Sequence, residues 1–169
     1  MARNDIKIAS GGYGTREFPV DSRNNSGVNP ILSGEPVKPR QGLGDNYTVA
    51  LDDGDPTAGT DIFLGICQSD STETATASGV VLVSLVGPGT VIEGDAATGA
   101  NIDTAAELAG LMYDFINFDV SATSVYTLDE DENGIATQLA LCIVGGDTNR
   151  SRVFALVTKS LVHGHYLSV

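Results

Sequence analysis

Apolar positions along this chain recur mostly with the two-residue period of strands. Tyr47, Val49 and Leu51 alternate with small or polar residues, which predicts a half-buried strand. Ile62 to Cys67 is a short continuous apolar run, set off by an Asp/Gly/Pro loop before it and a Ser/Thr tract after it. Val80 to Val86 is rich in β-branched residues and too short for a buried helix. It predicts a core strand that includes Leu82, stopped by Gly87-Pro88-Gly89. Thr90-Val91-Ile92 adds another short strand. In the last third, Val125 to Leu128 runs into Asp129-Glu130-Asp131-Glu132-Asn133-Gly134, where Asn-Gly predicts a hairpin. Ile135 to Val144 then alternates, Gly145-Gly146-Asp147 predicts a turn, and Val153 to Thr158 reads as the closing strand of a meander.

One helix stands out. Thr104-Ala105-Ala106-Glu107 has the spacing of a capping box, and Leu108, Leu111 and Met112 follow at helical spacing. Many short strands, Gly-rich turns and one helix predict a mainly β fold, a small β-sandwich or barrel. The 169 residues fit one domain with its own core. Residues 1–35 read differently: turn residues at 11–14 and 24–27, prolines at 19 and 30, and few apolar side chains. They predict an extended N-terminal arm ahead of a single β-rich domain over 36–169. Such an arm docks by adding a strand to a partner's sheet, with Phe18, Val20 and Ile31 as pegs and Arg3, Lys7, Arg16 and Arg23 as its charges.

Charge sharpens this division. Residues 1–40 carry six basic side chains, among them Lys38 and Arg40, against four acids. Residues 41–149 hold 18 acids and no Lys or Arg, and residues 150–169 add Arg150, Arg152 and Lys159 with no acid. The net charge of −13 argues against nucleic-acid binding, and no apolar run is long enough to span a membrane. Without a polar-to-apolar leader at the N-terminus, a soluble, cytoplasmically made product is expected. The acidic body has no internal ion pairs to offer, so its carboxylates are expected to be solvated or turned toward a basic partner.

Candidate chemistry is sparse. Asp129-x-Asp131-x-Asn133-Gly134 opens like a calcium loop, but position twelve is Ala140 and a strand follows, so a tight acidic turn accounts for it. Asp52, Asp53, Asp55 and Asp61 form a second acidic loop with equally few ligands. His163 and His165 lack a third ligand nearby. Ser84 sits among apolar residues with no nucleophile elbow around it. Cys67 and Cys142 lie in apolar runs, where an acidic surround raises a thiol's pKa. No catalytic, cofactor or metal residue is assigned, and an enzyme is not expected.

Ser33-Gly34-Glu35-Pro36-Val37, the Ile62–Cys67 run, and the Ser/Thr tract ahead of Gly79-Val80-Val81-Leu82-Val83 together resemble the head-decoration (capsid cement) proteins of tailed bacteriophages. The resemblance covers about residues 30–120. It implies a virion protein on the outer capsid surface, bridging neighbouring major capsid protein subunits, commonly as a homotrimer. Other virion parts (a tail-tube, head-completion or head-fibre subunit) share the β-rich fold and arm. A carbohydrate- or receptor-binding β-sandwich is a third reading, weakened by the absence of Trp.

Overall fold

The computed structural model describes residues 6–20, 30–39, 48–50, 63–74, 76–120, 125–130 and 141–158. They form a mainly β protein of two antiparallel sheets, one α-helix and a short 3-10 turn. The strands are β1 (Lys7–Ser10), β2 (Thr15–Val20), β3 (Pro36–Pro39), β4 (Thr48–Ala50), β5 (Gly65–Cys67), β6 (Gly79–Leu85), β7 (Val91–Asp95), β8 (Phe115–Val120), β9 (Tyr126–Asp129), β10 (Leu141–Asp147) and β11 (Arg152–Val157). The 3-10 turn (Gly99–Ile102) and helix α1 (Ala105–Leu111) lie between β7 and β8. No helix among the described residues is long and apolar enough to cross a membrane.

The larger sheet has the order β1-β7-β11-β10-β8-β9. It curls until the chain leaving β7 meets β9, with β1 left outside the seam: Ala96 and Leu128 form a parallel bridge, and the Ala97 N–H donates to the Leu128 carbonyl at 2.9 Å. Four antiparallel steps separate β7 from β9, so the two strands that close the ring run parallel. Inside lie Ile92, Ile116, Leu128, Leu141, Ile143 and Val153, all fully buried. Phe63 and Phe118 meet edge to face there, with ring centroids 5.1 Å apart.

The smaller sheet runs β2-β6-β5-β3-β4, and its outer strands β2 and β4 also approach one another. Its concave face holds a second core of Val20, Ile31, Val37, Cys67, Val81 and Val83. Because neighbouring side chains in a strand point to opposite faces, β5 sends Ile66 to the first core and Cys67 to the second. That double burial explains the uninterrupted apolar run in the sequence.

Several expectations change. Alternation turns Val81 and Val83 inward, so Leu82 points away from the second core and is 37% exposed. The described parts of the N-terminal segment lie within the sheets: β1 pairs with β7, β2 pairs with β6, and Ile6, Val20 and Ile31 are core residues. β9 and β10 do not pair with each other among the described residues; both pair with β8, which lies between them. Gly145 and Gly146 belong to β10, next to a bulge, and residues 148–151 make the turn. A Cβ at Gly146 would stand 2.6 Å from the Arg152 carbonyl oxygen and 3.0 Å from Leu108 Cδ1, so glycine lets β11 pair closely there with α1 packed above. The strand readings at Tyr47, Leu51, Ile62 and 135–140, and the Asn133-Gly134 turn, lie outside the described residues.

The capping box is present. Thr104 Oγ1 accepts from the Glu107 N–H at 3.2 Å, and Glu107 Oε2 accepts from the Thr104 N–H at 3.0 Å. Leu108, Leu111 and Met112 are the helix residues that pack on the larger core.

These burials separate two leucines of similar chemistry. Leu128→Ala should cost about 2–5 kcal/mol through the cavity it leaves, whereas Leu82→Ala should cost less than about 1 kcal/mol. Urea unfolding midpoints of the two variants measure the difference.

Candidate interaction surface

Four charged side chains gather on the strand next to the N-terminal edge of the larger sheet. Lys7 Nζ lies 2.8 Å from Glu93 Oε1; Arg152 Nε lies 3.2 Å from the same oxygen, and its other arm is 3.2 Å from Asp95 Oδ1. Register explains the cluster, since β7 lies between β1 and β11 with Lys7 opposite Glu93 and Arg152 opposite Asp95. Arg152 is itself buried. The acidic stretch therefore does have internal ion partners, drawn from the basic segments on either side of it in the chain.

Of the residues assigned to the arm, Lys7 is held in this cluster and Arg16 is exposed on β2. Phe18 packs against the second core, and Val20 and Ile31 are buried in it, so all three are pegs in this chain's own sheet. Arg3 and Arg23 lie outside the described residues, as do the loop 52–61, Asp131, Asn133, His163 and His165.

Glu130, which follows β9, turns inward. Its carboxylate is buried and accepts from the Thr98 N–H at 3.0 Å and from Asn101 Nδ2 at 3.0 Å. It holds the loop that closes the barrel. Asp129 is also engaged. Among the described residues no three His, Cys, Asp or Glu side chains are placed to hold a metal ion.

Cys67 is buried in the smaller core, and burial pushes its thiol pKa far up, with Glu35, Asp70 and Glu73 adding to the effect. Cys142 differs from the expectation of a buried hydrophobe: it is half-buried on the outer face of β10, its Sγ 3.5 Å from the Tyr113 carbonyl. Its pKa is raised by desolvation and by Asp114. Both shifts run against thiolate formation. Among the described residues, Ser71 Oγ and both oxygens of buried Glu73 have no hydrogen-bond partner.

A shallow cleft of about 630 Å³ runs between α1 and the β10–β11 turn, with Leu108, Met112 and Phe154 below and Asp147, Thr148 and Asn149 on the rim. Sequence reading missed it because its lining comes from three separate elements, α1, β10 and β11. Tyr113, just past α1, was missed too. Its φ of 73° is a left-handed conformation that usually calls for glycine after a helix, and that mismatch was visible in the sequence as a tyrosine in the helix-ending position. In comparisons with family profiles, curated proteins and solved structures, nothing matches this chain.

Two predictions follow from these geometries. The unfolded chain loses the Cys67 proton above the ordinary thiol value of 9.0 while the folded chain keeps it, so the thiol's contribution to stability is lost as pH rises past that point. Cys67→Ala should flatten the fall in urea midpoint between about pH 8 and pH 10. Glu73→Gln should raise the melting temperature by removing a buried carboxylate whose oxygens have no hydrogen-bond partner among the described residues; calorimetry at neutral pH reads it.

Proposed function

We propose that this protein is a structural component of a virion, bound to the outer capsid surface, where it bridges neighbouring major capsid protein subunits. The reading rests on the resemblance of residues 30–120 to phage head-decoration proteins. It is supported by the placing of β1 as a terminal strand of the larger sheet. Lys7, Ala9 and Ser10 are exposed on that strand, and its outer edge has no strand partner among the described residues. An unpaired edge offers a row of N–H and C=O groups, so a segment of a shell subunit adds to it by main-chain hydrogen bonds.

The mode of docking differs from that of a free arm. The N-terminal segment contributes an edge strand to each sheet, so contact is made by an edge already held in place and not by a coil that orders on arrival. That lowers the entropy cost of binding. Exposed Arg16 on β2 adds a positive charge on the same side of the chain's charge division. Many copies on one shell multiply modest single contacts.

Density-gradient fractionation of source particles tests the reading. The chain should band with DNA-filled particles in fixed ratio to the major shell protein; recovery only in the soluble fraction would overturn it. With purified shells, Arg16→Glu should weaken binding about three- to tenfold at low ionic strength and less at high salt. Sedimentation of shell-bound protein measures both.

A further inference from the structure

Apolar side chains line the outside of the larger barrel where the strand pattern calls for polar ones. Register pairs Phe115 with Cys142, Cys142 with Leu156, and Leu156 with Val91. These four share one face, opposite the core residues Ile116, Leu141, Ala155 and Ile92, and none of them is fully buried. Phe154, two positions along β11 on the same face, forms part of the floor of the cleft beside α1. The row and the cleft are thus parts of one apolar strip across β8, β10, β11 and β7.

Tyr113 stands at the end of this strip. Its left-handed backbone is unfavourable for a bulky side chain, and its ring is 72% exposed, so burial of the ring offsets none of that strain. The conformation is imposed by neighbours. The Tyr113 N–H donates to the Ile143 carbonyl at 2.9 Å, the Asp114 N–H to the Leu111 carbonyl at 3.0 Å, and the Ile143 N–H to the Asp114 carbonyl at 2.9 Å. An aromatic held outward by such a network costs the fold stability and leaves its ring free for a partner.

The charges around the strip are mostly acidic, with Arg150 at the turn end of the cleft as the exception. β7, α1, β8 and β10 all come from the stretch 41–149, which has no Lys or Arg. Asp114 lies close enough to raise the Cys142 thiol's pKa, and Asp147 stands on the cleft's rim. Arg150, 3.7 Å from Asp147, is a solvent-exposed cation at the turn end of the cleft, and Arg152 is buried against Glu93 and Asp95. A second copy of this chain, with its net charge of −13, would bring carboxylates against carboxylates.

We propose that the strip from Tyr113 and Phe115 to the α1 cleft is a docking surface for an extended segment of another protein that alternates basic with apolar side chains. The apolar side chains fill the cleft and cover the Phe115–Cys142–Leu156 row, and the basic ones meet Asp114 and Asp147. The surface is distinct from the β1 edge, and its chemistry does not depend on the partner being a capsid.

Titrating the ¹⁵N-labelled full chain with a peptide of alternating valine and lysine tests this. Amides of residues 111–116, 142 and 154–156 should shift saturably, and raised salt should weaken the binding. Tyr113→Gly suits the left-handed position, so it should melt higher than the parent chain yet bind about tenfold more weakly; Phe115→Ser should weaken binding similarly. Shifts confined to other residues, no shift at all, or unchanged affinity in Tyr113→Gly would overturn the proposal. Equal binding of a valine–glutamate peptide would overturn its charge argument. Shifts of the same amides on raising protein concentration alone would make a second copy the occupant and would also overturn it.

Discussion

Closure of the larger sheet is the constraint on which the rest of the structure depends. A curled sheet encloses its core only if the curl closes, and here β7 and β9 close it by a narrow contact between Ala96, Ala97 and Leu128. The buried Glu130 carboxylate secures that seam by accepting from Thr98 and Asn101, which lie in the loop leaving β7. A buried carboxylate is costly unless its oxygens find donors, so the loop has little freedom to adopt another path. The same loop leads through the 3-10 turn, with Ile102 plugged into the core, to the Thr104 cap. The position of α1, and with it the cleft and Tyr113, follows from the closure.

The ion cluster on β7 ties the two ends of the charge pattern to its middle. Lys7 belongs to the basic N-terminal segment, Arg152 to the basic C-terminal one, and Glu93 and Asp95 to the acidic stretch. Lys7 is exposed, so its bridge is worth little by itself. Arg152 is buried, and losing either side of that pair leaves a charge without compensation. Its effect is therefore on specificity: β1 and β11 are held on either side of β7 in one register. The cluster takes up two of the many carboxylates and leaves the face around Tyr113 acidic.

Both cores share β5, which joins the sheets mechanically. Ile66 and Phe63 serve one core while Cys67 and Leu64 serve the other, so the two sheets cannot separate without exposing one set. A body of this kind keeps its outer edges and faces in fixed relation. That rigidity supports the bridging role proposed above, because less ordering entropy is lost on binding.

Much of this was legible locally. The β-branched run of β6, the continuous apolar run that ends at Cys67 and the capping box at Thr104 all follow from neighbours within a few residues. The sequence by itself therefore determined a β-rich fold with one short helix. Only the tertiary structure decided which face of β6 would be covered, leaving Leu82 out and Val81 in. It also decided that β8 would stand between β9 and β10, that the N-terminal segment would supply strands to both sheets, and that Lys7 and Arg152 would meet at Glu93. The reason is physical: a strand's period determines that alternate side chains face opposite ways, while burial of either face depends on distant segments whose pairing no local pattern encodes.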